Sequence, residues 1–185
     1  MSGAWLTILL LIALGIVLVV LFNGLVRARN QVEAAWADVD VQLQRRHDLV
    51  PQLVNAVKAY MSHEKDTLTE VVAQRDGAVK AQSVGEISAL ESQLEKSMQT
   101  LIARVEDYPD LKATDNFRQL TDDLVDIEDH LQHARRYYNG AVRDLNNRVE
   151  RVPDRFIAGP LGFECAEFFQ AEASSRGPVQ VGALS

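Results

Sequence analysis

The feature that most constrains this chain is an uncharged apolar run close to its N-terminus. From Ala4 to Phe22 the sequence reads AWLTILLLIALGIVLVVLF. As an α-helix with a rise of about 1.5 Å per residue, this run would span about 28 Å, close to the hydrocarbon thickness of a bilayer. The run therefore predicts a membrane-spanning helix, and the lipid bilayer is the first predicted partner.

A cleaved signal peptide is the alternative reading of this run, and Val26-Arg27-Ala28 weakly imitates a cleavage site. Two observations argue against it. The MSG start carries no cationic side chain, and the run exceeds the usual apolar core of about 7–15 residues. A lipoprotein anchor is disfavoured because the single cysteine, Cys165, lies near the other end of the chain. We therefore predict a retained transmembrane anchor over residues 1–26.

The distribution of positive charge predicts the orientation of this anchor. Arg27 and Arg29 follow the run closely, whereas only the α-amino group precedes it. Arg45 and Arg46 lie at the edge of the stretch beyond a span, about 15–20 residues long, in which positive charges influence orientation. By the positive-inside tendency, we expect a single-pass protein of the bacterial inner membrane, with the N-terminus outside and the body in the cytoplasm.

Composition limits the remaining classes of protein. The chain has 185 residues, of which 47% are hydrophobic and 24% charged, which suits one domain with a real core. A net charge of −7 argues against nucleic acid as a partner, because such binding depends on Lys and Arg at the phosphates. No spacing of Cys and His is typical of a zinc site, and we predict no cofactor.

Apolar residues beyond the anchor recur with helical spacing, and no segment alternates as a strand does. We predict an all-α fold in which the transmembrane helix continues into an antiparallel bundle of three to four long helices over residues 27–152. The first soluble helix is expected from Ala28 to about Val79. Ser83 and Glu86 match a capping box that begins the second helix, which ends near Asp107. The third is expected over about 115–151.

One polar cluster interrupts the first helix, in the stretch QLQRRHDLVPQLV. Arg46 falls on the apolar seam between Leu43 and Val50, so its guanidinium is expected to be buried and to need carboxylate or carbonyl partners. A proline inside a helix costs about 3 kcal/mol and usually bends it. We predict a structural polar layer that comprises Arg45, Arg46, Asp48 and Pro51. A small-anion site is the alternative.

Helix lengths predict self-assembly. At about 1.5 Å per residue the first soluble helix is much longer than the second, so its membrane-proximal end would lack a partner within the chain. The stripe left exposed would consist of Val32, Trp36, Val39 and Leu43. Such a stripe is rarely left in water, and we predict that it packs against other copies in a homo-oligomer. The alternative is that the C-terminal phenylalanines cover it.

Two segments follow the predicted bundle. Residues 153–170 are rich in aromatic side chains around Gly159-Pro160 and Gly162, and we expect this segment to fold back onto the bundle. Docking on a neighbouring subunit or on the membrane interface are the alternatives. Residues 171–185 are interpreted as a flexible tail.

Candidate catalytic residues are few. His130 and His133, with Asp126 one turn earlier, form the weak metal candidate of the chain. Charged residues surround them, which is typical of a solvated helix face. His63-Glu64 opens like a zinc-protease motif, but no second histidine follows at the required place. We therefore predict no metal and no enzymatic activity, with a metal-dependent enzyme as the weaker alternative.

The chain resembles the LemA family over most of residues 23–169. The resemblance lies in RRHDLVP, EDYPDLK, ARRYYN and GFECAEFF. Two departures are small: Gln52 stands where the family often has Asn, and Ala59 stands where Gly is usual. The resemblance implies a membrane-anchored helical bundle with one N-terminal span, and it implies no activity.

The predicted function follows from these features. We expect a non-enzymatic, membrane-anchored helical scaffold that self-assembles into a homo-oligomer and organises or shapes the membrane. The alternative is an accessory subunit that recruits or regulates an unidentified membrane protein, such as a protease or a signalling protein.

Overall fold

The computed structural model describes residues 2–61 and 64–169, and within these ranges it is all-α, with no strand. The predicted fold class is therefore confirmed. The predicted flexible tail, residues 171–185, and His63 lie outside the described residues. The helices are α1 (Ser2–Lys58), α2 (Lys65–Lys80), α3 (Val84–Val105), α4 (Pro109–Lys112), α5 (Asp115–Glu150) and α6 (Arg155–Ala158).

Helix α1 carries both the apolar run and the first part of the body without interruption. Its most apolar window has a mean hydropathy of 3.1, and 0% of that window is buried within the protein. This helix is long and apolar enough to cross a membrane. Asn23-Gly24 does not break it, and Pro51 lies inside it. The predicted continuation of the span into the body is confirmed.

The end of the first helix was predicted wrongly. It ends at Lys58, not near Val79. The amides of Tyr60 and Met61 both donate to the carbonyl of Val57 at 3.0 Å, which closes the last turn. The chain then turns, so that Met61 is buried and α2 packs against α3. Burial of a second apolar face drives this turn, and helical periodicity alone does not reveal it.

Helix α3 begins where the sequence predicts. The Ser83 side chain accepts a hydrogen bond from the Glu86 amide at 3.2 Å. The Glu86 carboxylate in turn accepts from the Gln82 amide at 3.2 Å. These bonds satisfy amides that a helix start leaves without intrahelical partners.

The described residues form two compact units. Unit 1 comprises 2–43 and 129–168, and unit 2 comprises 44–61, 64–128 and Phe169. The core of unit 2 draws apolar side chains from five helices, α1 to α5, and from the turn after α1: Val50, Leu53, Val57, Met61, Leu68, Val71, Leu94, Met98, Leu101, Val105, Leu111, Phe117 and Leu124.

In unit 1, α1 and α5 pack in antiparallel orientation. Arg148 lies against Gly24, and Tyr138 makes an edge-to-face contact with Trp36 at a ring-centroid distance of 5.3 Å. Contact positions therefore rise along α1 as they fall along α5. The buried residues of this pair include Leu25, Val32, Ala35, Val39, Leu43, Tyr138, Ala141, Val142 and Leu145.

This packing corrects the predicted exposed stripe. Val32, Val39 and Leu43 are buried within the chain, and Trp36 is half-buried against Tyr138. Helix α5 therefore packs against this stripe, which the comparison of helix lengths had predicted to lack a partner within the chain. That comparison also assumed a first helix that reaches Val79, whereas α1 ends at Lys58.

Candidate functional site

A buried cluster of charged side chains lies in unit 2, around the predicted Arg46. The Arg46 side chain is 2% exposed, and its guanidinium donates to Glu91 of α3 at 3.3 Å. A second nitrogen of the same guanidinium pairs with Glu128 of α5. Arg46 thus ties α1 to two other helices, as a buried guanidinium with paired carboxylates should.

His47 completes this cluster from the other side. Its Nε2 lies 2.5 Å from the second carboxylate oxygen of Glu91, which is 0% exposed. The backbone carbonyl of His47 accepts from Arg75 Nε at 3.2 Å. Both oxygens of the buried Glu91 therefore have partners on the same helix, α1.

Sequence reasoning missed three of the four charged members, which are His47, Glu91 and Glu128. A signal for Glu91 was present: stepping back three positions from the buried Leu94 reaches Glu91, and three more reaches the buried Ser88. Polar residues on an apolar seam mark a buried polar layer, the same signal that singled out Arg46.

The other members of the predicted polar layer do not enter this cluster. Arg45, Asp48 and Pro51 are all exposed on α1. A helix rotates by about 100° per residue, so neighbours of a buried position face away from it. Of the predicted layer, only Arg46 is a buried residue.

The charged groups of the cluster join three helices, α1, α3 and α5. Arg46 faces two carboxylates, and His47 occupies the remaining oxygen of Glu91. The charged groups of the cluster are therefore paired with one another. In the described part of the chain, no three His, Cys, Asp or Glu side chains are grouped so that they could hold a metal ion.

The weak metal candidate lies on the exposed face of α5. Asp126, His130 and His133 are all exposed. His133 Nδ1 lies 2.9 Å from a guanidinium nitrogen of Arg136, and a neighbouring cation disfavours a second cation at the same ring. The structure gives this group the setting of a solvated helix face.

The C-terminal aromatic segment folds back within unit 1, as expected. Phe163 is buried and contacts Phe22 edge-to-face at 6.0 Å, and the Arg29 guanidinium lies over its ring at 5.3 Å. Gly162 has φ of 73°, in the left-handed region that favours glycine, and it turns the chain immediately before Phe163.

Two further contacts hold this segment along α5. Asn146 donates to the Ala166 carbonyl at 3.0 Å and accepts from its amide at 2.8 Å. The Tyr138 hydroxyl donates to the Glu167 carbonyl at 2.9 Å. Burial, followed by the charge of Glu167, raises the pKa of Tyr138. The segment is therefore part of the fold of unit 1.

Part of the same segment remains exposed beside the candidate span. Phe156 is 72% exposed and Leu161 is 52% exposed. With the end of the apolar run they line an apolar groove of about 420 Å³, whose members are Leu18, Val19, Phe22, Phe156, Ile157, Pro160 and Leu161. Aromatic and aliphatic side chains at this position are typical of a membrane interface.

A larger groove lies in unit 2, between the end of α1 and α2. It encloses about 700 Å³, and its lining includes Val54, Met61, Leu68 and Val72, with Lys58, Lys65 and Asp76 at polar positions. This volume falls within the range of ligand and peptide pockets. No sequence pattern had indicated it, because the turn after Lys58 creates it.

Comparison with known proteins agrees with this architecture. A sequence model described as the LemA family matches residues 35–182. Magnetosome protein MamQ 2 of Paramagnetospirillum magneticum is 24% identical over 94% of this chain and 73% of its own length. Protein LemA of Metamycoplasma hominis is 24% identical over 88% of this chain and 74% of its own length. The family match spans most of the chain, from within α1 to beyond the aromatic segment, and the chain therefore belongs to the LemA family.

Proposed function

We propose that this protein is a non-enzymatic, membrane-anchored scaffold that self-assembles into a homo-oligomer and organises the membrane around it. The observation that carries the proposal is the continuity of α1 from the candidate span into the body. A continuous helix transmits the position of the body directly to the bilayer, whereas a flexible linker would not. The relatives named as magnetosome proteins agree with a role at a membrane.

The absence of catalysis is part of this proposal. Two buried charged groups of the body, Arg46 and Glu91, pair with each other, and Glu91 also pairs with His47. Such mutual pairing supports a structural role, since it leaves these groups little capacity to act on a substrate.

Self-assembly is supported by the span and not by the stripe that the sequence suggested. No residue in the apolar window of α1 is buried within the chain, so most of its surface is available to lipid or to other spans. Anchoring in one bilayer also raises the effective concentration of copies. Closed cyclic symmetry is the simplest arrangement of such copies.

Light scattering of the full-length protein in mild detergent, with the detergent mass subtracted, tests the assembly. We expect one homogeneous species several times heavier than the 20.6 kDa chain. A monomer would refute the self-assembly. A stoichiometric second protein would favour the alternative role of an accessory subunit, and the apolar groove between α1 and α2 is the observation that favours that role.

Placement in the inner membrane with a cytoplasmic body is proposed from the arginines that follow the span. Cys165 is exposed in the body and is the only cysteine of the chain. A membrane-impermeant maleimide should therefore leave it unlabelled in intact cells and label it after lysis. Labelling in intact cells would indicate the opposite orientation. Extraction of the protein by carbonate would contradict the membrane span.

A further inference from the structure

A pocket of about 340 Å³ lies in unit 1 between α1 and the end of α5. Three guanidinium groups, those of Arg27, Arg148 and Arg151, line it together with Asp144. We propose that this pocket binds the phosphate of an anionic phospholipid of the bilayer that α1 crosses. The proposal rests on the membrane anchoring proposed above.

The depth of the pocket fits a lipid phosphate. Arg27 follows Phe22, the last residue of the apolar run, by five positions, or about 7.5 Å along the helix. The headgroup layer extends about 5–8 Å beyond the hydrocarbon core on each side. Exposed Phe156 and Leu161 beside the same end of the span agree with this placement of the bilayer surface.

The charges of the pocket are only partly neutralised by the protein. No carboxylate among residues 2–61 and 64–169 forms an ion pair with Arg27 or Arg148. Arg151 lies 3.7 Å from Asp154, and its side chain is 68% exposed. Three guanidinium groups against two carboxylates, Asp144 in the lining and Asp154 beside Arg151, leave the site with a net positive charge. Guanidinium groups bind phosphate oxygens in two-pronged geometry, which makes phosphate the matching ligand.

Gly24 shapes the pocket. A Cβ at this position would lie 2.1 Å from the Arg148 guanidinium, so the absence of a side chain lets that group rest against the backbone of α1. The same contact brings the end of α5 to the first turn beyond the span. An alanine here would push the guanidinium aside while improving the helix propensity of α1.

Lipid selectivity of the full-length protein tests the proposal. The protein is reconstituted into nanodiscs that contain phosphatidylcholine with graded phosphatidylglycerol, and bound lipid is counted by native mass spectrometry. We expect a preference for phosphatidylglycerol. Arg27→Gln with Arg148→Gln should weaken that preference by about thirty-fold, because each cation at the surface contributes about a five-fold gain.

Two controls separate the pocket from general charge. Arg143→Gln removes the same charge from an exposed position of α5 outside the pocket, and it should leave the preference unchanged. Gly24→Ala should weaken the preference without lowering the melting temperature. An Arg143→Gln effect as large as that of the double variant would overturn the proposal, as would a wild type without preference.

A further arm separates the lipid from a free anion. Inorganic phosphate at millimolar concentration should not displace phosphatidylglycerol, and displacement would mean that the pocket takes phosphate from solution. Sedimentation of the membranes after carbonate treatment reports the anchoring by itself. Protein that stays in the membrane without lipid preference refutes the pocket alone, whereas extracted protein refutes the proposed anchoring.

Discussion

Replacement of Arg46 by methionine is the sharpest test of the buried cluster. Methionine keeps most of the volume and removes the charge, so Glu91 would remain 0% exposed with only His47 as partner. Glu128 is 24% exposed and can reach water. The cost therefore arises at Glu91. Removing one partner of a buried pair costs about 3–5 kcal/mol, and the contact with His47 places the expected loss near the lower end.

Thermal unfolding of the full-length protein in detergent, followed by circular dichroism at 222 nm, measures this loss. For a chain of 185 residues, 1 kcal/mol corresponds to a melting-point shift of about 2–4 °C, so the Arg46→Met variant should melt about 6–12 °C lower. Arg45→Met is the matched control, because Arg45 is exposed one position away, and its effect should stay within about 0.5 kcal/mol.

A compensating variant isolates the buried charge as the cause. Arg46→Met with Glu91→Leu removes both ions of the buried Arg46–Glu91 pair, and replacing such a pair by apolar residues is often neutral. We expect the double variant to recover most of the lost stability. Arg46→Met that melts like Arg45→Met would refute this reasoning. If that variant also lost binding of a small anion, Arg46 would be a ligand contact.

Three other predictions follow from single contacts. Val39→Glu should unfold unit 1 and lower the helical circular dichroism signal, since Val39 is 0% exposed. A variant that stays folded but dissociates an oligomer would contradict this and would support the prediction of an exposed stripe. Ser83→Ala should cost about 1 kcal/mol through loss of the helix cap, measured by urea unfolding. Partial desolvation, then the charge and hydrogen bond of Glu150, raise the pKa of the Cys165 thiol. Glu150→Gln should therefore increase the thiolate fraction and speed iodoacetamide alkylation at neutral pH, and an unchanged rate would contradict this.

The sequence by itself determined the local features of the protein. The uncharged run, the helical spacing of apolar residues and the capping box at Ser83 each depend on residues within a few turns of one another. Arg46 was also identifiable, because a charge on an apolar seam must be buried with partners. These signals are local, so the all-α class and the candidate span could be predicted from sequence.

Only the tertiary structure decided what each apolar face packs against. Three features depend on contacts between segments that are distant in sequence. They are the turn after Lys58, the burial of Glu91 beside Arg46 and the burial of Val39 within unit 1. An apolar stripe predicts that a helix face is buried, but it does not identify the segment that buries it. The packing of α5 on α1 is such a nonlocal choice, and it replaced a predicted intermolecular contact with an intramolecular one.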